Sequence, residues 1–195
     1  MNETVQLRFC GFGGQGILLM GTVLGDAAVR QGLWVAGSNS YGSQARGSAC
    51  RSEVVLSRGP VDFPHVLEAD VLVAMSQEAY HHFLPSVCPE GVVIHDDPQV
   101  KRAPESQRVH VPIPATRSAV EDLGTRQVAN MVILAAAVSL TGVVSRETLV
   151  EAVEEGVASR FKELNLRALE KGFALGEAAR DGIIGGGIPM FAVKR

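Results

Sequence analysis

Six residues near the start, Gly11-Phe12-Gly13-Gly14-Gln15-Gly16, restrict the fold more than any others in the chain. Before them, Val5 to Cys10 alternates apolar and polar residues, which reads as a strand; after them, Ile17 to Val29 is apolar with helical character. Gly11, Gly13 and Gly16 fit the GxGxxG spacing, with an extra glycine at 14. A tight turn between strand and helix needs small residues, and so does a backbone that must come close to a phosphate. The helix N-terminus behind such a turn offers unpaired N–H groups and the positive end of a dipole. The alternative is a glycine turn that serves only strand–helix packing.

Downstream runs extend this start into a sheet. Leu33 to Ala36 reads as a second, parallel strand, and Cys50 to Leu56 as a third, with a polar loop over Ser38 to Ser48 between them. Asp70 to Met75 and Val92 to His95 are short β-branched runs of the kind found in buried parallel strands, separated by a helix over Gln77 to Leu84. Val109 to Ile113 adds one more strand. From Thr116 the pattern is helical: Thr116–Leu123, Arg126–Leu140, Arg146–Glu155 and Phe161–Arg180, with Gly142 as a C-terminal cap and Ser145 as an N-cap. The expectation is an α/β fold, a Rossmann-like, mostly parallel sheet flanked by helices with a helical C-terminal part. It forms one domain over residues 1–181, its sheet-forming part at about 5–115 and its helical part at about 116–181. Residues 182–195 read as a glycine-rich tail whose apolar end, Ile188 to Phe191, either docks on a partner or frays.

The choice of ligand narrows on one check. A dinucleotide site places a carboxylate at the end of the second strand, about 20 residues beyond the loop, to hold the ribose. Here that region reads Val35-Ala36-Gly37-Ser38, with no Asp or Glu between Asp26 and Glu53. The hydroxyl- and amide-rich loop that follows carries one cation, Arg46, and would lie beside the glycine loop at the sheet's C-terminal edge. Candidate ligand-binding residues are therefore Gly11, Gly13, Gly14, Gln15 and Gly16 in the first loop, and Ser40, Tyr41, Gly42, Arg46 and Gly47 in the second. Ser38 to Gly42 distantly resembles a hydrolase elbow, but the helix and the His and Asp partners that chemistry requires are missing. Glu78 with His81 on a helix lacks the second pair a di-iron site needs, and Asp96-Asp97-Pro98 reads as turn chemistry. No catalytic acid–base pair stands out.

Composition bears on partners and surroundings. A formal charge of −3 gives no polybasic footprint for nucleic acid, and Val128 to Leu140 is too short to span a bilayer. The three cysteines, Cys10, Cys50 and Cys88, are far apart and show no metal-site spacing, so no iron–sulfur cluster or metal is expected on this chain alone. Met1 to Thr4 lacks a basic leader, and the expected location is the cytoplasm.

With these loops in view, the sequence resembles the gamma subunit, or gamma domain, of 2-oxoacid:ferredoxin oxidoreductases. The likeness rests on GFGGQG at 11–16, SYGSQARGSACRSEV at 40–54, DVLVAMSQEAY at 70–80, VANMVILAAAVSLTG at 128–142, and Asn165, Ala168, Leu169 and Gly172. Family members often read SYGPEARGG, so Ser43, Gln44 and Ser48 stand where proline, glutamate and glycine are usual. The resemblance implies one subunit of an enzyme that converts a 2-oxoacid, coenzyme A and oxidised ferredoxin to acyl-CoA, carbon dioxide and reduced ferredoxin. Thiamine diphosphate and iron–sulfur clusters would sit on partner subunits, alpha and beta with or without delta, and ferredoxin would be met through the complex. The isolated chain would be inactive, and its homodimerisation is left open. Coenzyme A is the expected ligand of the two loops, with 2-oxoglutarate slightly preferred as the oxoacid. The rivals are a stand-alone NAD(P)- or flavin-binding oxidoreductase and a purely structural subunit.

Overall fold

The computed structural model describes residues 4–40, 49–182, 187, 188 and 191. In chain order the strands and α-helices are β1 (Thr4–Phe12), α1 (Ile17–Arg30), β2 (Trp34–Ser40), β3 (Ala49–Ser57), β4 (Ala69–Ala74), α2 (Gln77–Phe83), β5 (Val87–Asp96), β6 (Val109–Ile113), α3 (Ala115–Glu121), α4 (Ala129–Thr141), α5 (Arg146–Gly156) and α6 (Ser159–Gly182). The strands form one six-stranded sheet in the order β2-β3-β1-β4-β5-β6. β1, β4, β5 and β6 run parallel, whereas β3 is antiparallel to both β1 and β2. The fold is therefore the expected mostly parallel, Rossmann-like sheet.

The strand order adds what the sequence reading leaves open: β3 lies between β1 and β2, and β2 forms the edge. β2 and β3 form a hairpin, so β2 still runs in the same direction as β1. Ser40 pairs with Arg51, and Phe12 with Ala49, which brings the ends of β1 and β2 to the same edge of the sheet. The strand also extends through Ser38 to Ser40, where loop was expected.

The two faces of the sheet are filled differently. Val5, Leu7, Phe9, Val71, Val73, Val92 and Ile94 pack in one cluster with residues of α1, α4, α5 and α6, while Cys10, Leu72, Ala74 and Val93 pack with α2 around Tyr80. Alternate residues along each strand thus serve opposite faces, as the pleat requires. α4 is buried on nearly every side because it lies between the sheet and α6. Gly172 and Gly176 of α6 make that approach close. A Cβ at 172 would collide with the Val132 carbonyl oxygen, and one at 176 would stand 2.7 Å from that of Ala136. At the far end, Ile188 and Phe191 pack against this core, and the Phe191 N–H donates to the Thr141 carbonyl at 2.9 Å. These tail residues therefore dock on their own chain, and Gly182, read as the start of the tail, closes α6.

Candidate functional site

At the C-terminal edge of the sheet, β1 gives way to the glycine loop and then to α1. Each loop residue has a distinct duty. The Gln15 side chain closes the turn: its Oε1 accepts from the Phe12 N–H at 2.6 Å, and its Nε2 donates to the Met75 carbonyl at 3.0 Å. A Cβ on Gly11 would stand 2.5 Å from that Oε1 and 2.7 Å from Ile17 Cδ1, so only glycine leaves room for the closure. Gly16 has φ +73°, and a Cβ there would run into the Asn130 amide, which itself donates to the Gly16 carbonyl at 3.3 Å. Gly14 differs from these. It is exposed at φ +96°, with nothing within 4 Å of a Cβ position. α1 begins at this loop with no side-chain cap and no acidic residue in its first turn. Its N-terminal dipole is thus left without a carboxylate to offset it.

Beside the loop lies a cavity of about 160 Å³, lined by Gly14, Gln15, Met75, Thr116, Arg126, Gln127 and Ala129. Behind the lining residue Thr116 stands Asp96, the last residue of β5 and fully buried. Asp96 accepts the Thr116 N–H at 2.9 Å on one carboxylate oxygen and the Thr116 hydroxyl on the other. It thereby caps α3, whose own preceding residue is Pro114 and supplies no side-chain cap. Burial pushes the Asp96 carboxyl above the usual range, against the opposing effect of the Thr116 hydrogen bonds and the Arg126 charge. Arg126 and Gln127 sit on an exposed single turn of 3₁₀ helix, Arg126–Val128, that leads into α4. The Thr125 hydroxyl fixes this turn by accepting the Gln127 N–H at 3.3 Å.

Of the expected site residues, the structure brings Gly11, Gly13, Gly14, Gln15 and Gly16 together at this edge, with Gly14 and Gln15 on the cavity wall. Ser40 ends β2 at the same edge and is exposed. Tyr41, Gly42, Arg46 and Gly47 lie outside the described residues. Sequence reasoning missed Met75, Thr116, Arg126 and Gln127, which come from three separate connections. The one available signal is Asp96, an acidic residue closing a β-branched strand, in a segment whose sequence reads as turn chemistry. The Glu78/His81 pair is not joined by further ligands: among the described residues no group of three or more His, Cys, Asp or Glu could hold a metal ion. His81 instead meets Gln77 at 2.9 Å. No helix among them is long and apolar enough to cross a membrane.

A mostly parallel sheet with a strand–glycine loop–helix turn at its C-terminal edge defines a Rossmann-like α/β domain. Residues 6–175 match the family described as pyruvate ferredoxin/flavodoxin oxidoreductase, and the chain belongs to that family. It is 41% identical over 171 residues to the 2-oxoglutarate synthase subunit KorC of Methanocaldococcus jannaschii, across 86% of this chain and 91% of that protein. It is 35% identical to the ketoisovalerate oxidoreductase subunit VorA of Methanothermobacter thermautotrophicus, across 93% of this chain but only 38% of that longer one. Among solved structures it is similar to the keto/oxoacid ferredoxin oxidoreductase gamma subunit from Geobacter sulfurreducens, with a TM-score of 0.82 and 38% identity over 90% of this chain and 98% of that one. The chain is accordingly of the gamma-subunit type, part of an oxidoreductase. A fold likeness also holds with the 2-oxoglutarate:ferredoxin oxidoreductase from Magnetococcus marinus, solved with 2-oxoglutarate, coenzyme A and succinyl-CoA bound. That likeness has a TM-score of 0.84 at 24% identity and covers 97% of this chain and 33% of that one.

Proposed function

We propose that this chain is the gamma subunit of a 2-oxoglutarate:ferredoxin oxidoreductase and that its glycine loop, with the segment from Ser40 to Gly47, holds the phosphate end of coenzyme A. The observation that carries this reading is the uncapped N-terminus of α1 behind an exposed Gly14, opening on a cavity at the sheet's C-terminal edge. Gly11, Gln15 and Gly16 hold the loop's shape, Gly14 is the point of closest approach, and Arg46 supplies positive charge from the second loop. Thiamine diphosphate and iron–sulfur clusters belong to alpha and beta subunits, with or without delta, and electrons leave to ferredoxin through the complex. The choice of 2-oxoglutarate draws support from the names of similar proteins, four of which are 2-oxoglutarate synthase subunits at 32% to 41% identity.

The test compares two nearly isosteric variants in the purified complex. Asn and Asp are the L residues that best tolerate positive φ, so Gly14→Asn and Gly14→Asp carry similar backbone strain and differ in charge. The expected outcome is a KM for coenzyme A about tenfold higher in Gly14→Asp than in Gly14→Asn, with Arg46→Ala also raised. Equal values in the two Gly14 variants, together with an unchanged Arg46→Ala, would remove the ligand role. A second reading, a loop that only joins strand to helix, is favoured by one observation: Gly11 and Gly16 are both required by close contacts inside the chain. It predicts loss of thermal stability in loop variants with no change in that KM.

A further inference from the structure

Among the described residues that line the cavity, every polar group is a hydrogen-bond donor or is neutral. Arg126 and Gln127 line it from the turn before α4, and Gly14 and Gln15 from the glycine loop. The nearby carboxylate, Asp96, has both oxygens occupied by Thr116, and the Thr116 hydroxyl spends its proton on that bond. Among the described residues Arg126 has no ion pair. Its charge acts on Asp96, and the two do not form a salt bridge. A cation fixed on a capped turn, beside an amide that can donate and with no free carboxylate on the wall, suits a ligand rich in acceptors and poor in protons. Met75 adds an apolar side, which weakens competition from water.

We infer that Arg126, assisted by the Gln127 amide, binds a phosphate oxyanion of coenzyme A in this cavity. The inference rests on the coenzyme A reading above and adds a second cation, from outside the two glycine-bearing loops. Two chemistries share the property of a proton-poor oxyanion: the phosphates of coenzyme A and the carboxylate of the oxoacid. The assignment to phosphate follows from Arg126 and Gly14 lining one cavity, at the glycine loop that leads into the uncapped N-terminus of α1.

The experiment measures KM and kcat of the purified complex for coenzyme A and for 2-oxoglutarate, and inhibition by inorganic pyrophosphate against coenzyme A. Arg126→Ala is expected to raise the KM for coenzyme A about tenfold or more, as loss of a charged hydrogen bond requires, and to weaken pyrophosphate inhibition to a similar degree. The KM for 2-oxoglutarate and kcat at saturating coenzyme A stay within about twofold, and Arg126→Lys restores part of the loss. Arg117→Ala, an exposed neighbour outside the cavity, removes the same charge and should leave all four values unchanged. A rise confined to the 2-oxoglutarate KM would overturn the assignment in favour of a carboxylate. An unchanged Arg126→Ala alongside a Gly14→Asp that differs from Gly14→Asn would overturn the role of Arg126 and leave the coenzyme A reading standing. No change in any of these variants would remove both.

Discussion

Glu53 is a carboxylate held far from the surface. It lies 2% exposed in β3, where its carboxylate accepts from Arg8 Nε at 2.8 Å and from the Ser38 hydroxyl at 2.9 Å. Arg8, also buried, donates further to the Val66 carbonyl at 2.6 Å and to Ser86, and lies over the Phe83 ring. One ion pair thus joins β1, β2 and β3 to the segments before β4 and β5. Removing one partner leaves the other charge stranded away from water. Glu53→Gln should therefore cost about 3–5 kcal/mol, whereas replacing both residues by apolar ones of similar volume, as in Arg8→Met with Glu53→Leu, should cost much less. Urea denaturation of the three proteins measures the difference. Equal losses in the single and double variants would mean that the pair's packing matters more than its charge.

Among the elements, α4 and α6 make the closest contact. In an exposed helix, glycine to alanine gains roughly 1 kcal/mol of helix propensity. At Gly172 the new methyl would meet the Val132 carbonyl oxygen and, at 2.7 Å, the Ala135 methyl, both on a helix clamped from the other side by the sheet. Gly172→Ala should therefore destabilise by about 1–3 kcal/mol despite its better propensity, read as a drop in thermal midpoint. Gly182→Ala, at the end of the same helix with open space around it, should show no comparable loss. Such elements were largely legible in the sequence, because β-branched runs and a long apolar helix are local patterns. The helix boundaries moved little: α4 starts at Ala129 after one 3₁₀ turn where Arg126 was expected. The hidden part was non-local. Nothing in Trp34 to Ser40 says that Ala49 to Ser57 will slip between it and β1, because strand order is decided by pairing between distant segments. β5 likewise begins at Val87, through Pro89 and Gly91, which carry no strand pattern. The candidate site divides along the same line. Its glycine loop is contiguous and could be read, whereas Met75, Thr116 and Arg126 become neighbours only when β1, β4 and β5 end at one edge.

At the scale of the whole molecule, acid should loosen the packing around α2. Tyr80 is fully buried beneath His110, whose Nε2 lies 2.8 Å from the Tyr80 hydroxyl and whose Nδ1 lies 2.9 Å from the Arg108 carbonyl. His95 is buried beside them, with its Nδ1 unpartnered. Burial pushes both imidazoles below their ordinary value, helped at His95 by the charge of His110 and at His110 by Arg102 and Arg108. Below pH 6.5 the unfolded chain therefore takes up protons that the folded one refuses, and the stability held above that pH is lost as pH falls toward the folded values. Asp70 and Asp96, raised by burial, act in the opposite sense on acidification. The histidine contribution is isolated by comparing urea midpoints at pH 7.5 and 5.5 for the wild type and for His95→Gln with His110→Gln. A smaller drop in the double variant is expected, and equal drops would assign acid sensitivity elsewhere. The same global view gives α4 a further significance. Its start presses Asn130 on Gly16, its middle rests on Gly172 and Gly176, and its end carries Phe191 on the Thr141 carbonyl. The helix behaves like a shaft seated in three bearings with almost no clearance. Sequence drift in the C-terminal half is consequently held to the machining tolerance of the glycine turn at the opposite end, because a wider residue at 172 or 176 meets backbone carbonyls of α4 that no narrower side chain there can remove.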